Sequence, residues 1–363
     1  MGLEITGRSL ANVGPFLITA NVRGKCRVQE WSVGTGLGQV GDLVVGSVLM
    51  KPGQEIVILD QDRKAHKVTR PQRVLTVLGP RDSSTHVCAI IPPGGLQIKQ
   101  GTMAYWVAGE SGIVACLERE APVNSIHAAE NAIDFRLEGL VLNTHGQAVN
   151  IREFSVQPLQ TNVSTPIVLV GATSSESGKT VLAGELIRRL SNRGHRVGAL
   201  KVTGTGGVLD SLFHSKSGAV AVLDFVDAGL ISTHCDAADF RKRIPLVFRQ
   251  METLGVDVII AELGGDLLSA NNPEVFALKE LMDTTLMLLV ISNDALAAAG
   301  VVAMNELRFG FPVSKIRHFT SPFRNHAGMA RRMEMAGVAV CYDPRSANDI
   351  ARIVDQVIGE MGS

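Results

Sequence analysis

The residues best suited to chemistry begin at position 167. There the chain reads Ile-Val-Leu-Val-Gly171-Ala-Thr-Ser-Ser-Glu-Ser-Gly178-Lys179-Thr180. Apolar residues run into small, polar ones and end on Gly-Lys-Thr at the start of a helical pattern. In such a turn the backbone N–H groups converge on an anion, and the helix dipole adds partial positive charge. Lys179 is placed to reach the β- and γ-phosphates of a nucleotide, and the Thr180 hydroxyl to coordinate Mg²⁺. Gly178 keeps the backbone close to the phosphates without a side-chain clash. The spacing departs from the standard G-x-x-x-x-G-K-[ST] signature, because its first glycine falls on Thr173 and Gly171 lies two places earlier. The strand, loop and helix context still reads as a phosphate-binding P-loop for ATP or GTP.

Two further segments carry charge at the ends of apolar runs. Gly198-Ala-Leu-Lys201-Val-Thr-Gly204-Thr-Gly-Gly207 puts a lysine before a series of glycines. At the carboxyl end of a parallel strand it stands on the ligand side of the sheet, where a second cation neutralises charge on a transferring phosphoryl group. Val256-Asp257-Val-Ile-Ile-Ala-Glu262-Leu-Gly264-Gly265-Asp266 ends a strand on a carboxylate and two glycines. Glu262 is the expected Mg²⁺ ligand, directly or through water, with Asp266 as second choice. Catalysis is therefore assigned to Lys179, Lys201 and Glu262, and the metal to Thr180 and Glu262. Asp210 and Asp224 are further candidates for Mg²⁺ or substrate. Asn293 and Asp294 are candidates for base recognition, with the Asp also suited to capping a helix. His318 and Arg324 flank a later strand end.

These groups need a scaffold, and the texture of the chain supplies one. After residue 166 apolar runs of strand length, at 167–170, 197–201, 256–262, 286–292, 316–320 and 338–341, alternate with helical patterns. The helices are expected at 178–192, 239–254, 273–282, 294–309, 325–336 and 346–361. Continuous apolar strands suit a parallel sheet buried on both faces, so the C-terminal part reads as a doubly wound α/β fold. Residues 1–150 differ. Short apolar runs at 42–50, 55–59, 73–78, 87–91, 104–108 and 112–117 are divided by turn signals such as Lys51-Pro52-Gly53 and Pro92-Pro93-Gly94-Gly95. They predict a β-rich barrel or sandwich, with one helix over 124–135. Residues 151–165 are polar and aperiodic, and read as a linker. The expected domains are thus 1–150, β-rich, and 166–363, nucleotide-binding.

Composition narrows the function further. The 363 residues include 35 Lys+Arg against 35 Asp+Glu, so no overall field attracts nucleic acid or an anionic membrane. The five cysteines are scattered, with no CxxC pair, which predicts reduced, mostly buried thiols in a cytoplasmic protein. No zinc-ligand spacing, signal pattern or membrane-spanning run occurs. The expected partner is a small-molecule substrate, with an oligomer contact or partner surface as a role for the β-rich half.

Taken together, the three motifs resemble the dethiobiotin synthetase-like branch of P-loop proteins. Its lengthened loop G-T-D-T-x-x-G-K-T is similar to residues 172–180, with Ala172 in place of the glycine. Its K-P-V-x-[ST]-G resembles Lys201-Val-Thr-Gly-Thr205-Gly206 without the proline, and its E-G-x-G-G resembles Glu262-Leu-Gly-Gly-Asp266 with shifted glycines. The resemblance covers roughly residues 166–345. It implies that Lys179 and Lys201 bind phosphates and a reacting acyl or carbamoyl phosphate. It implies Mg²⁺ at Thr180 and Glu262, and cofactor contacts from Thr173, Ser174, Ser175, Glu176, Ser177, Gly178 and Thr205. The loop also lacks the extra lysine of the MinD-type signature K-G-G-x-G-K-T, which disfavours dimer-dependent switching of that kind. A second resemblance joins Lys201-Val-Thr-Gly-Thr-Gly-Gly-Val-Leu-Asp210 and the Asp224-Phe225 segment to the P-loop family that includes D-glutamate N-acetyltransferase. The expectation is a Mg-ATP-dependent enzyme acting on a small carboxylate or amino-acid-like metabolite, as a ligase, kinase or transferase. The alternatives are a P-loop-fold acyltransferase and a nucleotide-dependent regulator or assembly ATPase.

Overall fold

A computed structural model describes residues 8–23, 26–83, 87–107, 109–119 and 132–362. The chain forms two compact units. The first comprises its described residues up to Ser155 together with Thr205–Val208 and Val226–His234; the second comprises Val156–Gly204, Leu209–Phe225 and Cys235 onward.

In the first unit five strands close on themselves. Leu43–Val48 pairs with Gln72–Leu78 and with Ile133–Leu142, which pairs with Met103–Trp106. Met103–Trp106 pairs with Ile113–Arg119, which returns to Gln72–Leu78 as the one parallel contact in the ring. Closure explains why all six residues of Leu43–Val48 are buried. At Gly46 a β-carbon would lie 2.3 Å from the Phe135 ring, so the glycine makes room for that core aromatic. The helix expected over 124–135 is corrected in part. Residues 124–131 lie outside the described residues, while 133–135 begin a strand. Buried Ile133, Phe135 and Leu137 alternate there with the more exposed Asp134, Arg136 and Glu138, a period of two.

The short segments at 205–208 and 226–234 are held by hydrogen bonds within this unit. Gly206 N donates to Ile231 O at 2.8 Å, and Val208 N to Ser111 Oγ at 2.9 Å. Buried Asn21 donates to the carbonyls of Gly112 and Gly206, and Arg23 pairs with Asp227 at 2.8 Å.

The second unit is a parallel α/β sheet with helices. Its elements are β1 (Ile167–Ala172), α1 (Lys179–Asn192), β2 (Val197–Lys201), α2 (Leu209–Lys216), β3 (Ala221–Asp224), α3 (Ala237–Thr253), β4 (Val258–Glu262), α4 (Asn272–Phe276), α5 (Lys279–Thr284), β5 (Thr285–Ser292), α6 (Ala295–Met304), β6 (Ile316–Thr320), α7 (His326–Met335), β7 (Cys341–Tyr342) and α8 (Ala347–Met361). The strand order is β3-β2-β4-β1-β5-β6-β7, all parallel. The connection β1–α1–β2 passes over β4, and the chain then crosses to β5 on the other side of β1. A reversal of this kind opens a crevice at the carboxyl ends of the strands. Val168, Val170, Leu182, Leu186, Ile260 and Leu289 are buried in the core beneath α1.

Several element bounds differ from expectation. The edge strand β3 and helix α2 were not anticipated, since the run Ala-Val-Leu-Asp is short and only its last residue is buried. The helix expected over 273–282 is divided into α4 and α5. That over 294–309 becomes π-helical at Asn305–Phe309, where the Asn305 side chain bonds both backbone groups of Phe311. The last strand is Cys341–Tyr342 rather than 338–341. The cysteines are half-buried rather than buried, and no disulfide joins them. Among the described residues no helix is long and apolar enough to cross a membrane.

Candidate active site

The loop between β1 and α1 is built from short-range bonds. Ser177 Oγ donates to Ser174 O at 2.6 Å, and Asn293 Nδ2, just past β5, donates to Ser174 Oγ at 2.6 Å. Gly178 turns into α1 with φ of +99°, a conformation that side chains resist, and a β-carbon there would meet the Pro322 ring at 2.6 Å. Lys179 folds back over the loop. Its Nζ donates to Gly265 O at 2.7 Å and to Ser174 O at 3.1 Å, so carbonyl oxygens now hold the ammonium. Burial, and then repulsion from Lys201, push the Lys179 ammonium down to about 8.

Behind it lies a charged cluster. Lys201, at the end of β2, places Nζ 2.6 Å from Glu262 Oε1 and 2.7 Å from Asp210 Oδ2. Thr180 Oγ1 lies 2.9 Å from Glu262 Oε1 and 3.0 Å from Asp210 Oδ1. One hydroxyl, two carboxylates and one lysine thus share a few ångströms. Glu262 is 1% exposed. Burial alone would raise its carboxyl, but the Lys201 charge and His214 outweigh that and hold it well below the usual carboxylate range. Burial likewise opposes the Lys201 charge, yet Asp210 and Glu262 hold its ammonium above the ordinary range. Fully buried His214 sets Nε2 3.0 Å from Glu262 Oε2, close but misaligned for a full hydrogen bond.

A cavity of about 370 Å³ is lined by Ser175, Glu176, Ser177, Gly178, Lys179, Thr180, Lys201, Asp210, Glu262 and Gly265, joined by Val181 and Phe323. Most residues expected at the site are therefore together. Thr173 and Ser174 do not line it: Thr173 N bonds back to β5, and Ser174 braces the loop. Thr205 belongs to the first unit, where it bridges to Ser232. Asp266, the second choice for the metal, spends its carboxylate on the backbone N–H groups of Leu268 and Ser269. Asp224 accepts from Ser211 at 3.2 Å, and His318 is buried in β6, where desolvation lowers its affinity for a proton.

Sequence reasoning left Asp210 as a minor candidate and missed His214 and Asn272. Asp210 and His214 are four residues apart on α2, so they share a helical face, and that spacing was the available signal. Asn272 is buried at the start of α4. It donates to the carbonyls of Gly264 and Asp266 and accepts from Thr203, whose hydroxyl also takes the Gly264 N–H. This network shapes the exit of β4 that carries Glu262.

The donor set matches a hard cation. Mg²⁺ takes oxygen ligands and is usually held by one or two carboxylates together with substrate phosphates. Thr180, Glu262 and Asp210 supply those oxygens beside the phosphate loop. Among the described residues no group of three His, Cys, Asp or Glu side chains forms a metal site of its own.

No family model matches the chain, and no curated protein does. Among solved structures it is similar to a ParA family ATPase from Chlorobium tepidum, with 11% identity over 54% of this chain and 92% of that one at a TM-score of 0.34. HypB from Helicobacter pylori, crystallised with nickel, matches at 14% identity over 55% of this chain and 88% of that one, TM-score 0.30. A DUF1611 family protein from Anabaena variabilis matches at 15% identity over 58% and 64%, TM-score 0.37. It is the strand order and the loop around Lys179 that make the second unit a P-loop nucleotide-binding fold.

Proposed function

We propose that the chain is a Mg²⁺-nucleotide-dependent enzyme that activates a small carboxylate or carbamate by phosphoryl transfer, as in the dethiobiotin synthetase-like branch. The observation that carries this reading is Lys201. Its ammonium lies between Glu262 and Asp210 beside the Thr180 hydroxyl, where a nucleotide-binding function alone needs no second buried lysine.

Thr180, Asp210 and Glu262 would hold the metal, which when bound neutralises the β- and γ-phosphate oxygens. Two cations cannot share these carboxylates cheaply. At about 4 Å and an effective dielectric of about 20, a divalent ion and an ammonium repel by on the order of 8 kcal/mol. Lys201, now paired with Glu262 and Asp210, would be freed toward the transferring group where a cation took up those carboxylates. Lys179 leaves the carbonyls of Ser174 and Gly265 for the phosphates. The substrate carboxylate oxygen bonds the γ-phosphorus, the bond from that phosphorus to the β–γ bridging oxygen breaks, and the nucleoside diphosphate leaves. The carboxylate attacks as an anion, so no base is required and the protein's part is positioning and charge neutralisation.

The test is a screen of small carboxylates and amino acids for stimulated release of nucleoside diphosphate. Stimulation that Lys201→Met abolishes while nucleotide binding persists supports the reading. Hydrolysis that no small acid alters counts against it.

A second reading, a nucleotide-driven switch acting on a protein partner, is favoured by one observation. The chain leaves the second unit immediately after Gly204 and again after Phe225, directly downstream of β2 and β3, to pack in the first. A switch hydrolyses slowly alone and faster with a protein, whereas the enzyme responds to a metabolite. Acyl transfer to an amino acid, with the loop holding a coenzyme's phosphates, predicts binding of acyl-coenzyme A in the same screen.

A further inference from the structure

The phosphate end of the cavity is accounted for by Lys179 and Thr180, but the residues singled out in the sequence for base recognition are committed elsewhere. Asn293 Nδ2 is bonded to Ser174 Oγ at 2.6 Å and lies 3.3 Å from Ser177 Oγ. The Asp294 carboxylate caps α6 through Ala297 N at 2.8 Å. The next strand end, after β6, offers a different group.

There the chain reads Ser321-Pro322-Phe323-Arg324. Ser321 N donates to Ser292 O at 3.0 Å, tying the turn to the end of β5. Its hydroxyl accepts from Phe323 N at 3.3 Å, and Arg324 N donates to Ser321 O at 3.0 Å. The Pro322 carbonyl accepts from Arg345 at 3.3 Å, and the Pro322 ring lies against Gly178 of the phosphate loop. The turn is thus braced, yet it holds Phe323 71% exposed on the wall of the same cavity as Lys179 and Thr180. Exposed aromatic surface is unfavourable in water, and a flat ring beside a phosphate site is suited to a π-stacked base.

We propose that Phe323 is the nucleobase platform, its ring stacking on the base of the nucleoside triphosphate whose phosphates Lys179 and Thr180 hold. This rests on the phosphate-loop reading and adds the base to it. Every base has a π-face, so stacking is tolerant of base identity. Stacking by itself therefore does not select between ATP and GTP.

The test is calorimetry with ATP and with inorganic tripolyphosphate on wild type, Phe323→Ala and Phe323→Trp. The expected result is about a tenfold loss of ATP affinity in Phe323→Ala, tripolyphosphate unchanged, and recovery in Phe323→Trp. Indole fluorescence of Phe323→Trp, corrected for the signal of wild type, should be quenched by ATP and not by tripolyphosphate. Unchanged ATP affinity in Phe323→Ala overturns the proposal, as does an equal loss for both ligands, which would mean a disturbed loop. If wild type binds neither ligand, the phosphate-loop reading falls, and the platform with it.

Discussion

Lys201 stands between two carboxylates that, on the proposed reading, belong to a magnesium ion. Lys201→Met should therefore tighten nucleotide-free binding of Mn²⁺, measured by electron paramagnetic resonance titration, while abolishing turnover. Weaker Mn²⁺ binding would show that the lysine organises the site rather than holding the place of the metal. Lys179 gives a pH prediction with a definite sign. Its ammonium is depressed to about 8 without ligand, so it is charged below that pH and neutral above it. A bound phosphate favours the charged form and raises the value. Affinity for tripolyphosphate should be flat below pH 8 and fall by up to about tenfold per unit above it, with proton uptake on binding. Calorimetry in buffers of different ionisation enthalpy measures that uptake. Lys179→Met should lose at least about a hundredfold in affinity, as expected for a charge-assisted phosphate contact removed from a buried site.

At the scale of elements, the candidate catalytic groups stand on strand ends and on α2, and small buried networks set their positions. Asn272 at the start of α4 ties the exit of β4 to Thr203 beyond β2. Asn272→Ala leaves the carbonyls of Gly264 and Asp266 without that donor. At about 1–3 kcal/mol for each buried group left unsatisfied, chemical denaturation should show a loss of more than about 2 kcal/mol. A loss below about 0.5 kcal/mol would mean the loop relaxes freely. Gly178 is a second such position. Gly178→Ala meets both an unfavourable positive φ and the Pro322 ring, so nucleotide affinity should fall while the helix content measured by circular dichroism stays unchanged.

At the scale of the whole molecule, two segments of the sequence between β2 and α3 pack in the barrel unit. If nucleotide binding reorganises Lys201 and Asp210, the adjoining segments Thr205–Val208 and Val226–His234 should report it. Hydrogen exchange in both should slow on adding nucleotide with Mg²⁺. Unchanged exchange there, with slowing confined to residues around Lys179, would count against the switch reading and leave the enzyme reading intact. The units also bear on stability. Ligand at about a hundred times its dissociation constant stabilises whatever must fold to bind it by about 2.7 kcal/mol, so calorimetric unfolding separates a shared transition from two independent ones.

What was legible in the sequence was local and repetitive. The run at 197–201 is a strand with those bounds, because parallel strands buried on both faces leave a nearly continuous apolar signature; 316–320 is a strand with its expected bounds as well, although only Ile316 and Phe319 of Ile-Arg-His-Phe-Thr are apolar. Lys179 and Thr180 stood out in the Gly-Lys-Thr turn at a helix start, Lys201 and Glu262 because a strand end followed by glycine marks the ligand side of such a sheet, and the fold brings all four to one cavity. The rest depended on the tertiary structure. Asp210 and His214 sit on a short helix with a weak pattern, and they matter because β2 and β4 are neighbours, a pairing distant in sequence. Asp266, only the second choice for the metal, accepts from the turn's backbone N–H groups; a carboxylate near glycines looks the same in either role until its N–H donors are placed. The barrel closes through Gln72–Leu78 and Ile113–Arg119, whose pairing no periodicity announces. Sequence by itself determined which residues can bear charge at a strand end; only the folded chain decided which of them face one another, because burial and long-range strand pairing are properties of the assembled sheet.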